Sequence, residues 1–202
     1  MAATPGDPVT RNLPYATLSI ALAAVAATQV FLIGDWFMYD RTAIADGEIW
    51  RLVTGHLYHY SWTHLVSNLL PFVAIGAWIE MRIGPWLAVG CLFMAVTIGA
   101  SLFLAYPDMI TFGGLSGIDC GFITYYGLQW WRIHGRKGVV GRIALIALFI
   151  KIGFEMVTGA ALLANRDGDQ FVVMPLSHVV GCLIAGLLTL LQPLIGLRQS
   201  QP

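Results

Sequence analysis

The sequence predicts an all-α polytopic membrane protein with six transmembrane helices and a first loop lying in the headgroup interface. Three observations point there. The 202-residue chain is 57% hydrophobic and 11% charged, with a mean hydropathy of +0.73, outside the soluble range. Its apolar residues fall in long runs bounded by charges, Gly and Pro. Its charges also segregate by loop. Arg11, Arg82, Arg132, Arg136, Lys137, Arg142 and Arg198 fall on the termini and even-numbered loops. Asp35, Asp40, Asp46, Glu48, Asp108, Asp167 and Asp169 fall on the odd-numbered ones, against Arg41, Arg51 and Arg166. The positive-inside rule then puts both termini in the cytoplasm.

Taken in order, the runs give spans at 13–33, 63–80, 86–106, 116–131, 139–164 and 173–195. The first follows a single basic residue, Arg11, and continues past Ala26-Ala27 to Ile33, so it reads as an uncleaved span. The stretch 34–62 mixes Trp36, Phe37, Tyr39, Trp50, Tyr58, Tyr60 and Trp62 with Asp35, Asp40, Arg41, Asp46, Glu48 and Arg51. Aromatics interleaved with charges suit the headgroup layer. The fourth span is short and starts after Gly113-Gly114, so it should begin below the surface, fed by a loop that protein shields. At roughly 20 residues per span, the chain is expected to form one membrane domain, 1–202.

Zero net charge and the lack of a basic run with interleaved aromatics give no sign of nucleic-acid binding. The three cysteines, Cys91, Cys120 and Cys182, sit in apolar segments without a CxxC spacing. Neither a disulfide framework nor a metal cage is expected, and no cofactor motif is present. Internal repeat symmetry, which would favour a transporter, is not evident.

Reactive side chains converge in depth. The second, fourth and sixth spans all run from outside to inside. Ser116 stands at the outer end of the fourth, and His178 about 8 Å into the sixth. His64 lies at the outer end of the second, with Asn68 one turn deeper. A serine needs a base to become a nucleophile, and neutral histidine suits that task. His64 and Asn68 share one helical face and can donate together to an oxyanion. The Ser116 N–H, at a helix N-terminus, adds a third donor. Asn68 as interhelical glue is the competing reading. No Asp or Glu is evidently placed to orient His178, so a Ser-His dyad is expected in place of a triad. Lys151 and Glu155 read as a structural i, i+4 pair facing the bundle, with Asp119 a possible third member. His56 and His59 read as loop histidines tying down carbonyls. Gly117/Gly121 and Gly181/Ala185 offer small surfaces for close packing of the fourth and sixth helices.

In sequence, Glu48-x-Trp50-Arg51, His59, His64-x-x-x-Asn68, Glu80-x-Arg82-x-Gly84, Phe112-Gly-Gly-Leu-Ser-Gly117 and His178-x-x-Gly181 resemble the rhomboid family of intramembrane serine proteases. That resemblance implies a six-transmembrane-helix rhomboid-like bundle cleaving membrane-anchored protein substrates near the extracytoplasmic face of a bacterial inner membrane. It implies Ser116 as nucleophile and His178 as base, with an oxyanion hole of His64, Asn68 and the Ser116 amide. Gly114, Gly117, Gly181 and Cys120 would support the site, and Glu48, Trp50 and Arg51 would build the structural loop. Substrate would enter laterally, with the fifth helix as gate and the 165–171 loop as cap. Cys120 replaces an aromatic residue frequent in the family, and Asp119 is an unrequired ionisable group. Thr54-Gly55-His56-Leu57 also resembles rhombosortases, the branch that processes C-terminal Gly-Gly anchors. A catalytically inactive membrane adaptor of the same fold is the alternative from another class.

Overall fold

The apolar runs fold as helices, and the differences from expectation lie at their ends. The computed structural model describes residues 13–29, 35–160 and 173–192. Helix α1 spans Tyr15–Gln29, followed by a two-residue strand β1 (Tyr39–Asp40). Short helices α2 (Arg41–Ala45) and α3 (Arg51–Thr54) lead into a 3₁₀ turn, Gly55–Leu57. Then come α4 (Trp62–Ile83) and α5 (Trp86–Ala105), strand β2 (Thr111–Phe112) and α6 (Ser116–His134). Finally α7 covers Val139–Thr158 and α8 Pro175–Leu191.

Hydropathy underestimates α4 and α6, expected to stop at 80 and 131. Both continue through Arg82 or Arg132 to a glycine, because backbone hydrogen bonding does not end where the apolar residues do. It overestimates α7, expected to reach 164. Gly159 caps that helix, its N–H donating to the Glu155 carbonyl at 2.9 Å. Likewise α8 starts at Pro175, two residues later than expected, where proline suits the first helical turn. Residues 30–33, 161–164 and 193–195 of the expected spans, and the 165–171 loop, lie outside the described residues.

The result is an all-α bundle with its polarity turned inward. Leu22, Leu70, Leu104, Phe149 and Leu183 face outward, while His64, Asn68, Asp119, Gln129, Glu155 and His178 are buried. An apolar exterior is what a membrane-embedded protein needs, and the buried polar groups are set within a largely apolar core. By length and composition, α4 and α5 are each sufficient to cross a membrane.

Helix α6 is the axis of the bundle, packing on α8 and α7 most extensively and also on α4 and α5. Its N-terminus is fixed by the first loop. Strands β1 and β2 pair antiparallel, Tyr39 opposite Phe112 and Asp40 opposite Thr111, so the loop grips the segment entering α6. Arg51 organises that loop. Its Nε meets Glu48 at 2.6 Å, and Nη1 donates to the carbonyls of Asp35 and Met38 at 2.6 and 2.8 Å. Trp50 contributes by stacking on Trp36, ring centres 6.1 Å apart. Gly99 of α5 lets the loop lie close, since a Cβ there would strike the Leu52 carbonyl.

Glu80, on the last turns of α4, caps a different helix. Its carboxylate accepts from the backbone N–H groups of Ala16 and Thr17, both at 2.8 Å, and from the Thr17 hydroxyl at 2.7 Å. A negative group at a helix N-terminus satisfies orphan donors and meets the positive end of the dipole. Glu80→Ala is expected to lower stability by about 1–2 kcal/mol through loss of this cap. Thermal unfolding in detergent should show a lower midpoint, with Glu80→Gln falling between parent and alanine variant.

Candidate active site

Ser116 and His178 meet. Ser116 opens α6 and His178 sits in the first turn of α8, and the serine Oγ lies 3.0 Å from the histidine Nε2. The contact exists because the two helices touch backbone to backbone just beneath it. A Cβ on Gly117 would stand 2.9 Å from the Ser177 carbonyl oxygen, and one on Gly121 would stand 3.1 Å from that of Gly181. A Cβ on Gly181 would fall onto the carbonyl oxygen of Gly117. Small residues are the means by which helices approach this closely in lipid.

The segment delivering Ser116 is equally constrained. Residues Phe112 to Leu115 are buried, as expected for a shielded loop. Gly114 has φ +116°, and a Cβ there would lie 2.8 Å from the His64 imidazole. Both facts require glycine. His56 holds the same turn: its ring nitrogens lie 3.3 Å from the Gly114 carbonyl and 3.1 Å from that of Ala95. Burial pushes His56 below the usual histidine range. His59 sits with Nδ1 3.1 Å from the Leu57 carbonyl and its ring edge-on to His64, centres 4.9 Å apart. Burial, with His64 adding repulsion, takes His59 down to about 3. Both loop histidines therefore act as neutral struts on backbone carbonyls.

His64 and Asn68 are buried on α4. The Ser61 hydroxyl caps the helix by accepting from the His64 N–H at 3.2 Å, which fixes the histidine in the first turn. Asn68 Nδ2 donates to the His64 carbonyl at 2.7 Å, leaving its second amide hydrogen for another acceptor. His64, Asn68, Ser116 and His178 line one cavity of about 440 Å³ between α4, α6, α7 and α8. The Ser116 N–H, in the first helical turn, has no intrahelical acceptor by position.

One expectation is corrected. A carboxylate does lie beside the histidine: Glu155 Oε2 of α7 is 2.9 Å from His178 Nδ1. The oxygen lies off the ring N–H axis, so the approach is close without being a linear hydrogen bond. Lys151 straddles the same carboxylate, its Nζ 2.8 Å from each oxygen. The sequence spacing locates the Lys151–Glu155 pair on one helical face. It does not say which neighbour that face meets, and this is why Glu155 was missed. A usable signal was Gly159, which as the end of α7 puts Glu155 one turn from that end, at the level of His178.

Asp119 is buried at the cavity wall, and among the described residues its Oδ1 has no hydrogen-bond partner. Cys120 packs against Leu148 and Ile152 of α7. The Cys182 thiol points to the Cys120 carbonyl at 3.7 Å, and both cysteines are free.

Comparison with known proteins points to one family. The profile described as Rhomboid domain matches residues 46–192. The chain is 28% identical over 184 residues to proteins called rhomboid protease GlpG from Yersinia pseudotuberculosis, Yersinia pestis and Yersinia enterocolitica. Each alignment covers 85% of this chain and 60% of the relative, so the chain spans less than two thirds of the length of these curated relatives.

Adding one methyl group tests the helix contact. Gly181→Ala should drive α8 from α6 and lower stability by about 1–3 kcal/mol. Gly186→Ala, whose added Cβ meets nothing within 4 Å, should not lower the unfolding midpoint. The readout is thermal unfolding of both variants in the same detergent.

Proposed function

The chain belongs to the rhomboid family, and from that premise we propose that it is an intramembrane serine endopeptidase acting on membrane-anchored proteins. The observation that carries the proposal is the 3.0 Å contact between Ser116 Oγ and His178 Nε2 in a cavity shared with His64 and Asn68.

In this reading Ser116 Oγ attacks the scissile carbonyl carbon while its proton passes to His178 Nε2. The carbonyl oxygen, now an oxyanion, is received by the His64 ring N–H, the free hydrogen of the Asn68 amide and the Ser116 N–H. His178 then protonates the leaving amine, the peptide bond breaks, and an acyl-enzyme on Ser116 remains. Water attacks that ester with His178 as base, releasing the carboxylate and regenerating the serine. Gly114 lets the His64 ring close over the turn, while Gly117 and Gly181 set the distance between nucleophile and base. Cys120 fills the space one turn beneath Ser116.

The topology belongs to the same proposal. The chain forms one rhomboid-like domain of six spans with both termini cytoplasmic. The Ser116 end of α6 faces the extracytoplasmic side of a bacterial inner membrane, and substrate enters laterally past α7. Glu48, Trp50 and Arg51 frame the interfacial loop. Processing of C-terminal anchors in the manner of rhombosortases is the narrower alternative. The Thr54 to Leu57 wording that suggests it is wired to the site through the contact of His56 with the Gly114 carbonyl. An inactive adaptor would have no use for an intact Ser-His contact.

Ser116→Ala and His178→Ala should each reduce cleavage of a transmembrane substrate in detergent by at least about 10³-fold. Fluorophosphonate labelling of the folded protein should vanish in Ser116→Ala. Cleavage at parental rate in either variant sinks the mechanism, and absent labelling of the parent favours the adaptor. Comparing which membrane proteins lose C-terminal anchors, with and without active enzyme, separates the two protease readings.

A further inference from the structure

A base that takes a proton on Nε2 must carry its own proton on Nδ1. In water the two neutral tautomers of imidazole interchange freely, so an enzyme gains from an acceptor that selects one. In this protein the group facing His178 Nδ1 is the Glu155 carboxylate, 2.9 Å away. Both side chains are nearly excluded from solvent, at 4% and 3% exposure. A carboxylate that deep is expensive unless a cation accompanies it. Lys151, one turn earlier on α7, supplies the cation and touches both oxygens.

We propose that Glu155 is the positioning residue of a Ser116–His178–Glu155 triad, with Lys151 keeping its carboxylate ionised inside the bundle. The inference rests on the reading of Ser116 and His178 as the reacting pair. Glu155 holds the Nδ1–H tautomer, which leaves the Nε2 lone pair directed at the serine. When the serine proton arrives, the imidazolium gains a counter-charge at contact distance. The proton stays on the imidazole, and Glu155 only orients and stabilises. The off-axis approach seen here shortens and straightens as charge develops, as catalytic hydrogen bonds commonly do.

Among the described residues, the other polar groups around His178 do not compete for this role. On α6, Ser116 occupies the opposite ring nitrogen, and Asp119 and Cys120 line the wall below. On α8, Cys182 directs its thiol to a backbone carbonyl. On α4, His64 faces the cavity beside Gly114. An ion pair serving stability alone gains nothing from touching the base, and buried pairs are weak stabilisers in any case.

The test uses the full chain in detergent with a transmembrane substrate, alongside Ser116→Ala and His178→Ala. Glu155→Gln keeps the shape of the side chain, but its amide can donate to Nδ1 and so favour the wrong tautomer. Its kcat should fall by about 10²–10⁴-fold, with KM within about threefold and an unfolding midpoint close to the parent. The rate of fluorophosphonate labelling should fall in parallel and remain dependent on Ser116. Lys151→Met should slow turnover as well, and Lys151→Arg should restore most of it. If Glu155→Gln does not fold, the double variant Glu155→Gln/Lys151→Met, which removes both charges together, gives the same reading. Parental kcat in either folded variant, with Ser116→Ala and His178→Ala inactive, overturns the triad and leaves the dyad standing. Parental cleavage by Ser116→Ala removes the dyad and the triad with it.

Discussion

Helices α6 and α8 approach each other at glycine, backbone against backbone, and the candidate site depends on that approach. Apolar side chains give no net drive for two helices to associate when the surrounding lipid is equally apolar. What remains is close packing, and Gly117, Gly121 and Gly181 provide it by leaving nothing between one main chain and the other. A pair of ordinary helices stands 8–10 Å apart, roughly, with side chains filling the gap. Ser116 has the shortest side chain that can act as a nucleophile, so a wider spacing would put the imidazole beyond its reach.

The glycines fix the distance between the helices but not the height of the serine along its own. That second coordinate comes from the first loop. The β1–β2 ladder, the Arg51 contacts to the carbonyls of Asp35 and Met38, and the struts of His56 hold the Gly113–Gly114 turn in place. A loop buried at this level must satisfy its backbone polar groups with protein, since lipid offers none. The unusual density of Arg and His side chains bound to carbonyls follows from that requirement. The loop is framework, and its contacts are what hold Ser116 at the first residue of α6, facing the cavity.

Relative height along the bundle was legible in the sequence, and azimuth was not. Charge patterning gives each helix a direction, and a rise of about 1.5 Å per residue gives each side chain a height. Ser116, His178, His64 and Asn68 follow from those two quantities, and the structure brings them to one cavity. The spacing of Gly117, Gly121 and Gly181 announced the crossing for a similar reason, since small residues at i, i+4 define a face by themselves. Glu155 needed something more. Its height is computable, but whether it faces lipid, α6 or the histidine depends on the rotation of α7, which only packing decides. The two-residue β ladder escaped for a related reason: Tyr39 and Phe112 are 73 positions apart, and a pair of residues carries no periodicity.

The same contact sets a condition on how α7 can move. Towards its N-terminal end α7 is held against α6 at another glycine crossing, where a Cβ on Gly141 would stand 2.7 Å from the Gly127 carbonyl. Towards its C-terminal end Leu148 and Ile152 pack on Cys120, and Glu155 latches onto His178. A helix with a backbone contact at one end and a polar latch at the other would pivot about the first if the second opened. Lys151 stays with Glu155 on α7, so the carboxylate keeps its counter-charge when the contact with His178 opens. The histidine gets no such help. In the proposed mechanism, any route that admits a peptide by swinging the end of α7 outward would leave His178 without its neighbour until the helix returned.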